Sequence, residues 1–321
     1  MLRDVMDDHG LRRDVRQAGF FETDQYQQLD LELKTAITQG QLVAMAGIVG
    51  CGNTTLLQRM QAELGRAKDI LMARSLAVEK DRVHLGTCIM ALVYDLAPEK
   101  DVKIPPQPEK RARQLLDLIS KRCKPMALFV DEAHDLHRKT LSALKHLMAL
   151  VRPPGDLVAV VVAGPPKLKN LLRHPVMEEM GARATVLTLE GLQGQQRKYL
   201  TWLLEGCVEP GRDAILTSAA LERLAEALAT PLQVEQYLTL ALEEAYRAGQ
   251  QPVPPDLIAS VLARGLNDVE PTLARDGYAD RAVADLLHVR PAEVRAFLRG
   301  RLPAGRAQAL HHELRAVGIP L

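Results

Sequence analysis

The chain has 321 residues, a formal net charge of +1, and a composition of 47% hydrophobic and 25% charged residues. This length is too great for one compact core and suits two or three domains. The four cysteines are far apart and include no CxxC pair, which argues against a zinc site or a disulfide framework and fits a reducing cytosol. Because the N-terminus lacks the apolar core of a signal peptide and no apolar run approaches the ~20 residues of a membrane span, we expect a soluble, cytoplasmic protein with no membrane partner.

Strands alternate with helices through the first part of the chain. Short apolar runs predict five strands, at Gln41–Gly47, Ile70–Leu76, Met126–Glu132, Leu157–Gly164 and Ala184–Leu189. Helical patterns lie between them, at Thr54–Arg66, Val83–Leu96, Arg111–Lys121, Lys139–Leu150 and Lys167–Leu172. Such alternation over ~150 residues implies an α/β fold with a doubly wound parallel sheet.

After Gly194 the strands stop and helical patterns take over. Four predicted helices resemble a small all-helical lid: Gln195–Leu204, Ala219–Leu228, Gln233–Ala248 and Pro255–Ala263. The stretch from Gly277 to Leu321 has the pattern of a separate helical unit. We therefore predict four parts: an N-terminal extension (1–18), an α/β domain (19–193), a helical lid (194–265) and a C-terminal helical domain (266–321).

A glycine-rich turn joins the first strand to its helix and matches the P-loop template G-x-x-x-x-G-K-[ST], except that Asn53 stands where the template has lysine. In such a loop the backbone N–H groups point inward around a β-phosphate, and the hydroxyl of Thr54 is placed to bind Mg²⁺. The alternative is a strand–helix turn with no ligand. The pattern predicts an ATP site formed by Gly47, Gly50, Cys51, Gly52, Asn53, Thr54 and Thr55.

Asn53 limits what this loop is expected to do. Lysine supplies a full positive charge to the β- and γ-phosphates, whereas asparagine is shorter and neutral. Losing a charge-assisted contact costs about 1.5–3 kcal/mol in binding, so we expect weak ATP binding and severely reduced hydrolysis. Either the protein is a naturally degenerate ATPase or a lysine has been deliberately replaced, and the intact remainder of the loop favours the second.

The third predicted strand ends in two carboxylates, in the sequence LFVDEAH (Leu128–His134). Asp131 would hold Mg²⁺ through water, and Glu132 would polarise the attacking water as a general base. The alternative is a strand end capped by surface acids. The P-loop upstream favours the catalytic interpretation, and we expect His134 to form local hydrogen bonds only.

These motifs and their spacing resemble those of AAA+ ATPases of bacterial mobile elements, the transposition regulators of the MuB, TniB and TnsC type, and of the related ExeA-like ATPases. The narrower likeness lies in VDEAHDL, VVVAGPPKLKNLL and ATPLQVEQYLTLALEEAYRAG. The resemblance implies a P-loop AAA+ fold and an ATP-dependent homo-oligomer, a ring or a helical filament on double-stranded DNA, that recruits or activates a transposase. The alternatives are an ExeA-like ATPase of envelope secretion and a nucleotide-independent scaffold.

The resemblance also implies roles for single residues. Pro165 stands where relatives have a polar sensor, and Leu232 where they have a lid arginine, so both sensors are in doubt. Arg183 matches an arginine finger offered to a neighbouring subunit, with an ordinary surface arginine as the equal alternative. The basic residues expected to face DNA in such an oligomer are Lys80, Arg82, Arg138, Lys139 and Lys145.

The segment Arg281–Leu302 has the apolar spacing of a helix–turn–helix, with a tight turn near His288 and a second helix opened by Pro291. Arginines on or near the second helix could reach a DNA backbone or groove. The same helices could instead dock a protein partner, with their arginines solvated. The candidate DNA contacts are Arg290, Arg295, Arg299 and Arg301.

Overall fold

A computed structural model describes residues 1, 3–67, 70–74, 85–97, 103–122, 124–136, 140–141, 144, 147–148, 158–172, 184–263, 279–298 and 301–316 of the chain. The chain divides into two compact units. The α/β unit comprises Asp24–Gly47 and Gly52–Leu189, and the helical unit comprises Met1–Thr23, Ile48–Cys51 and Glu190–Leu321.

The α/β unit contains a sheet and five of the named helices, and the helical unit contains the rest. No helix in the described part of the chain is both long enough and apolar enough to cross a membrane. The elements in chain order are α1 (Arg3–His9), α2 (Asp24–Thr38), β1 (Leu42–Gly47), α3 (Asn53–Ala67), β2 (Leu71–Arg74), α4 (Leu85–Leu96), α5 (Pro108–Arg122), β3 (Met126–Val130), β4 (Val158–Gly164), α6 (Lys167–Leu172), β5 (Ala184–Leu189), α7 (Gln196–Cys207), α8 (Ser218–Ala227), α9 (Pro231–Ala248), α10 (Pro255–Ala263), α11 (Asp280–Leu287), α12 (Pro291–Leu298) and α13 (Ala304–Ala316).

The sheet has five parallel strands in the order β2-β3-β4-β1-β5, which confirms the predicted fold class. Every residue of β1, β3 and β4 is buried, because helices cover both faces of a doubly wound sheet and select continuous apolar strands. The predicted strand Met126–Glu132 ends earlier, at Val130. Its two carboxylates therefore lie just beyond the sheet.

Helix α2 was absent from the sequence prediction. It buries Tyr26, Leu29, Leu33 and Ile37, which recur every three or four residues along one face. The helix predicted at Lys139–Leu150 falls largely outside the described residues.

In the helical unit, the N-terminal segment is built into the same core as the helices that follow β5. Val5, Leu11 and Val15 are buried in one cluster with residues of α7 to α10. The backbone N–H of Arg12 donates to the carbonyl of Cys207 (2.9 Å), and that of Glu209 donates to Gly10 (2.9 Å). These paired hydrogen bonds fix the segment beside the end of α7.

Helix α9 begins with a capping box. The hydroxyl of Thr230 accepts the backbone N–H of Gln233, and the Gln233 side chain accepts the backbone N–H of Thr230 in return. Pro231 occupies the first turn, where its missing N–H costs no hydrogen bond. This explains why α9 begins at Pro231 instead of at the predicted Gln233.

A half-buried carboxyl group, that of Glu235, lies between α7 and α9. The hydroxyl of Tyr199 donates to Oε1 of Glu235 over 2.8 Å. Burial raises the pKa of Glu235, and the hydrogen bond from Tyr199 offsets only part of that effect. Tyr199 in turn stacks on Trp202 at a ring-centroid distance of 5.8 Å, which places the single tryptophan of the chain beside this pair.

We expect Glu235→Gln to stabilise the protein above neutral pH. A group whose folded pKa is raised contributes fully to stability below its unfolded pKa, near 4.5, and loses that contribution as pH rises through the folded value. Glutamine keeps the acceptor for Tyr199 and removes the charge, so variant and wild type should unfold alike at pH 4 and diverge at pH 8. Urea titrations followed by Trp202 fluorescence measure this. The control is Glu226→Gln, an exposed glutamate on α8, and equal pH profiles for the Glu235→Gln variant and the wild type would contradict the expectation.

Candidate functional site

The glycine-rich loop between β1 and α3 has the backbone conformation that only glycine adopts easily. Gly50 and Gly52 have φ angles of 87° and 107°. The N–H of Cys51 donates to the carbonyl of Ile48 (3.1 Å), and the N–H of Leu56 donates to Gly52 (2.8 Å), which begins α3. The loop thus makes one tight turn and passes directly into the helix, which is the arrangement of a phosphate-binding loop.

Gly50 has a second reason to lack a side chain. Within the helical unit, the backbone N–H of Leu232 donates to the carbonyl of Gly50 over 3.3 Å. A Cβ at Gly50 would lie 2.5 Å from the Cβ of Leu232 and 3.1 Å from the hydroxyl of Thr230. Any larger residue there would displace the start of α9.

The two predicted Mg²⁺ ligands meet. The hydroxyl of Thr54, at the start of α3, donates to Oδ2 of Asp131 over 2.8 Å, and both residues are exposed. The other oxygen of Asp131 accepts the backbone N–H of Glu132 (2.8 Å), which orients the carboxylate. A hydroxyl and a carboxylate are hard oxygen donors, so these two residues fit a Mg²⁺ ion that takes its remaining ligands from water and phosphate.

Asn53 is held by the ends of two neighbouring strands. Its Nδ2 donates to the carbonyl of Gly47, at the end of β1, and to the carbonyl of Gly164, at the end of β4, both over 3.1 Å. Its Oδ1 is buried with no hydrogen-bond partner among the described residues. Both amide hydrogens are therefore engaged by main-chain carbonyls, and the residue brings no charge to the loop.

Glu132 adopts an uncommon backbone conformation. Its φ of 51° and ψ of 38° lie in the left-handed region, immediately before a short 3₁₀ helix at Ala133–Asp135. A non-glycine residue there costs on the order of 1 kcal/mol, and such strain clusters at functional sites. His134 lies close to the strand end as well, since its Nδ1 would be 3.1 Å from a Cβ at Gly164.

Other predicted residues are placed as follows. Pro165 is buried directly after β4, where its carbonyl accepts the N–H of Leu168 (2.8 Å), and its side chain has no polar group. Leu232 is 47% exposed, and Thr55 is exposed on the first turn of α3. Seven of the predicted residues lie outside the described ones: Lys80, Arg82, Arg138, Lys139, Lys145, Arg183 and Arg299.

Helices α11, α12 and α13 form a small C-terminal bundle with its own core. His288 ends α11 in the left-handed conformation, with a φ of 54°, and makes the predicted tight turn. Arg290, Arg295 and Arg301 are exposed. The core residues of the bundle are Val283, Ala284, Val294, Phe297, Leu310 and Leu314.

Two contacts in these regions went unnoticed in the sequence. One is the bridge from Asn53 to Gly164. The other is in the C-terminal bundle, where Arg306 of α13 pairs with Glu293 of α12 (2.7 Å) and with Glu313 (3.4 Å). Both depend on which elements lie side by side, so neither has a local sequence signal.

Residues 37–172 match the family model described as the AAA domain. Among curated proteins, the general secretion pathway protein A of Aeromonas hydrophila is 28% identical over 198 residues, which are 58% of this chain and 33% of that protein. The matched region thus spans about a third of the relative's length.

Solved structures with the same architecture include a Cdc6p protein and two ORC proteins. Cdc6p from Pyrobaculum aerophilum has a TM-score of 0.55 at 16% identity, over 96% of this chain and 91% of its own. ORC2 from Aeropyrum pernix has a TM-score of 0.56 at 14% identity, over 98% and 90%. The Drosophila ORC bound to DNA has a TM-score of 0.55 at 14% identity, over 98% and 83%. The chain therefore has the AAA+ P-loop fold, which is that of nucleotide-binding ATPases.

We expect Asn53→Asp to destabilise the α/β unit by about 1–3 kcal/mol, because an isosteric carboxylate loses both hydrogen bonds and faces two carbonyl oxygens. The control is Thr55→Asp, which puts the same charge on the exposed first turn of α3 and should be neutral or slightly stabilising beside the helix dipole. Urea unfolding followed by far-ultraviolet circular dichroism measures the difference. Equal midpoints for the two variants would show that the bridge from Asn53 contributes nothing.

Proposed function

We propose that this chain is an ATP-binding AAA+ protein that assembles on double-stranded DNA and regulates transposition by recruiting or activating a transposase, with turnover restricted by Asn53. The observation that carries the nucleotide site is the 2.8 Å hydrogen bond between Thr54 and Asp131. It joins the end of the phosphate loop to the acidic strand end, although the two are far apart in the sequence.

In this site the backbone N–H groups of the loop would hold the phosphates, and Thr54 with Asp131 would hold Mg²⁺. The metal would supply neutralisation of the phosphate charge. Glu132, adjacent to the metal ligand and exposed, would orient and deprotonate the attacking water. Asn53 supports the loop through its hydrogen bonds to the carbonyls of Gly47 and Gly164, and it supplies no charge to the transferred phosphate.

The DNA part of the proposal is supported by the C-terminal bundle. Helices α11 and α12 are joined by a short turn at His288, which is compatible with a helix–turn–helix, and Arg290, Arg295 and Arg301 are exposed with no side-chain ion pair among the described residues. Three unpaired guanidinium groups on one small bundle suit a phosphate backbone. The assembly part is supported by the resemblance alone, in which Arg183 would complete the ATP site of a neighbouring subunit.

A second candidate function is that of an ATPase in envelope secretion. It is supported by the similarity to the secretion pathway protein A, at 28% identity over 198 residues. The two candidates share the ATP site and differ in their partner. Binding to DNA separates them, because the secretion function predicts no salt-dependent affinity for a duplex.

We expect Asn53→Lys to raise ATP turnover by at least about tenfold, because the lysine charge stabilises the phosphoryl group in transfer. Asn53→Gln is the matched control, since it lengthens the side chain without adding charge and should give no gain. Adding Glu132→Gln to Asn53→Lys should abolish the gained turnover if it arises at this site. A coupled assay of phosphate release measures all four proteins, and no gain with lysine would place the deficit elsewhere, at Pro165 or Leu232.

We also expect the chain to bind duplex DNA with an affinity that falls steeply with salt. If Arg290, Arg295 and Arg301 each contact a phosphate, replacing all three by glutamine should reduce the slope of log K against log salt by about 2.7. Fluorescence anisotropy with a labelled duplex, with and without a non-hydrolysable ATP analogue, measures this slope. Absence of binding, or binding that salt leaves unchanged, would overturn the DNA part of the proposal and favour the secretion candidate.

A further inference from the structure

One ion pair in the C-terminal bundle determines which arginines remain available to a partner. Glu293 lies in the first turn of α12, three residues after Arg290. Arg290 immediately precedes that helix, and the backbone N–H of Glu293 donates to its carbonyl over 2.9 Å. An acidic side chain at this position of a helix can reach back to the residue before the helix. Here Glu293 pairs instead with Arg306 from α13, whose Nε lies 2.7 Å from Oε1.

The consequence for Arg290 is direct. It is exposed, and its side chain has no ion pair or hydrogen bond within the part of the chain that the structure describes. Arg306, by contrast, is doubly engaged, since its Nη1 also lies 3.4 Å from Glu313. One arginine thus pairs with two of the acidic groups on this bundle, whereas Arg290, Arg295 and Arg301 are exposed with no ion pair among the described residues.

We propose that Arg306 is a positioning residue for DNA binding: it holds Glu293 away from Arg290, so that Arg290 can contact a phosphate. This inference rests on the proposed function of the bundle as a DNA-contacting element. Arg306 itself touches no DNA in this arrangement. When Arg306 is lost, Glu293 turns back to Arg290 at the start of α12, and the site loses one cation and gains a repulsive carboxylate.

The partner class follows from the charges. Three exposed guanidinium groups that have no ion pair in the described part of the bundle, beside a carboxylate that another arginine holds, are complementary to a regular polyanion. An acidic protein would be the other polyanionic partner. Duplex DNA is favoured because the arginines flank a helix–turn–helix, an arrangement that presents its second helix to a groove.

The experiment is a double-mutant cycle in the full chain, with a labelled duplex of mixed sequence as the probe and anisotropy as the readout. Arg306→Gln should weaken DNA binding about five- to tenfold at 0.1 M salt and reduce the salt slope by about 0.9, the effect of one phosphate contact. Glu293→Gln alone should bind as well as the wild type or more tightly. The double variant Arg306→Gln with Glu293→Gln should return to within about twofold of the wild type, because the competing carboxylate is gone.

A second double variant is the matched control. Arg306→Gln with Glu313→Gln has the same net charge as the first double variant, but it leaves Glu293 unpaired beside Arg290. It should remain as weak as Arg306→Gln alone. Recovery in both double variants would mean that only net charge matters, and recovery in neither would mean that Arg306 contacts DNA itself, and either result would overturn the inference.

The failures of the two proposals are distinguishable. If the wild type binds the duplex and the cycle shows no coupling, the role of Arg306 is wrong and the DNA function stands. If the wild type does not bind the duplex, the DNA function fails and the role of Arg306 fails with it, whether or not an acidic protein binds. Thermal unfolding checks each variant, and the loss of an exposed ion pair of this kind should leave the unfolding midpoint nearly unchanged.

Discussion

The candidate ATP site depends on one constraint, the common direction of β1, β3 and β4. Because these strands are parallel, the loop after Gly47, the acidic pair after Val130 and the carbonyl of Gly164 all arrive at the same edge of the sheet. β4 lies between β1 and β3, so the hydrogen bond from Thr54 to Asp131 spans the end of β4. If any of these strands ran in the opposite direction, the group that follows it would lie at the other end of the strand, away from the other two.

In this site, the groups that would bind the nucleotide differ from the group that would bring a positive charge to its phosphates. The loop backbone, Thr54 and Asp131 provide the groups that would hold phosphate and metal, whereas position 53 provides the charge in the P-loop template. A lysine at position 53 would carry its charge beyond the strand ends, whereas the amide of Asn53 ends on the carbonyls of Gly47 and Gly164. The hydrogen bonds of Asn53 support the loop that would bind phosphate, but its neutral side chain does not supply the positive charge that phosphoryl transfer requires. Under the proposed function this favours a protein that holds nucleotide longer than it hydrolyses it.

Much of this architecture was predictable from local patterns, and the rest was not. The buried strands were found within one or two residues because their apolar runs are continuous, and the two motifs identified Thr54 and Asp131. Helix α2 was missed because it buries only a narrow stripe in a polar sequence, even though Tyr26, Leu29, Leu33 and Ile37 have helical spacing. The bridge from Asn53 to Gly164 depends on β4 lying beside β1, which the order of strands in the sequence does not reveal. The pairing of Arg306 with Glu293, thirteen residues apart, depends in the same way on how α13 packs.

The conformation of the acidic pair Asp131 and Glu132 is relevant to the question of why position 53 is not a lysine. Glu132 keeps a left-handed backbone at a cost on the order of 1 kcal/mol, directly after Asp131, whose carboxylate accepts the hydroxyl of Thr54. A sequence released from catalysis has no reason to retain such strain, so its presence favours a single change at position 53 in an otherwise organised site. Pro165 and Leu232 argue in the other direction, because neither carries a polar group at the two positions where the resemblance to transposition regulators implies a phosphate sensor. The charge of a lysine would contact the transferred phosphate directly, whereas a sensor residue only adjusts the geometry of the site. The missing lysine is therefore a larger deficit than the missing sensors.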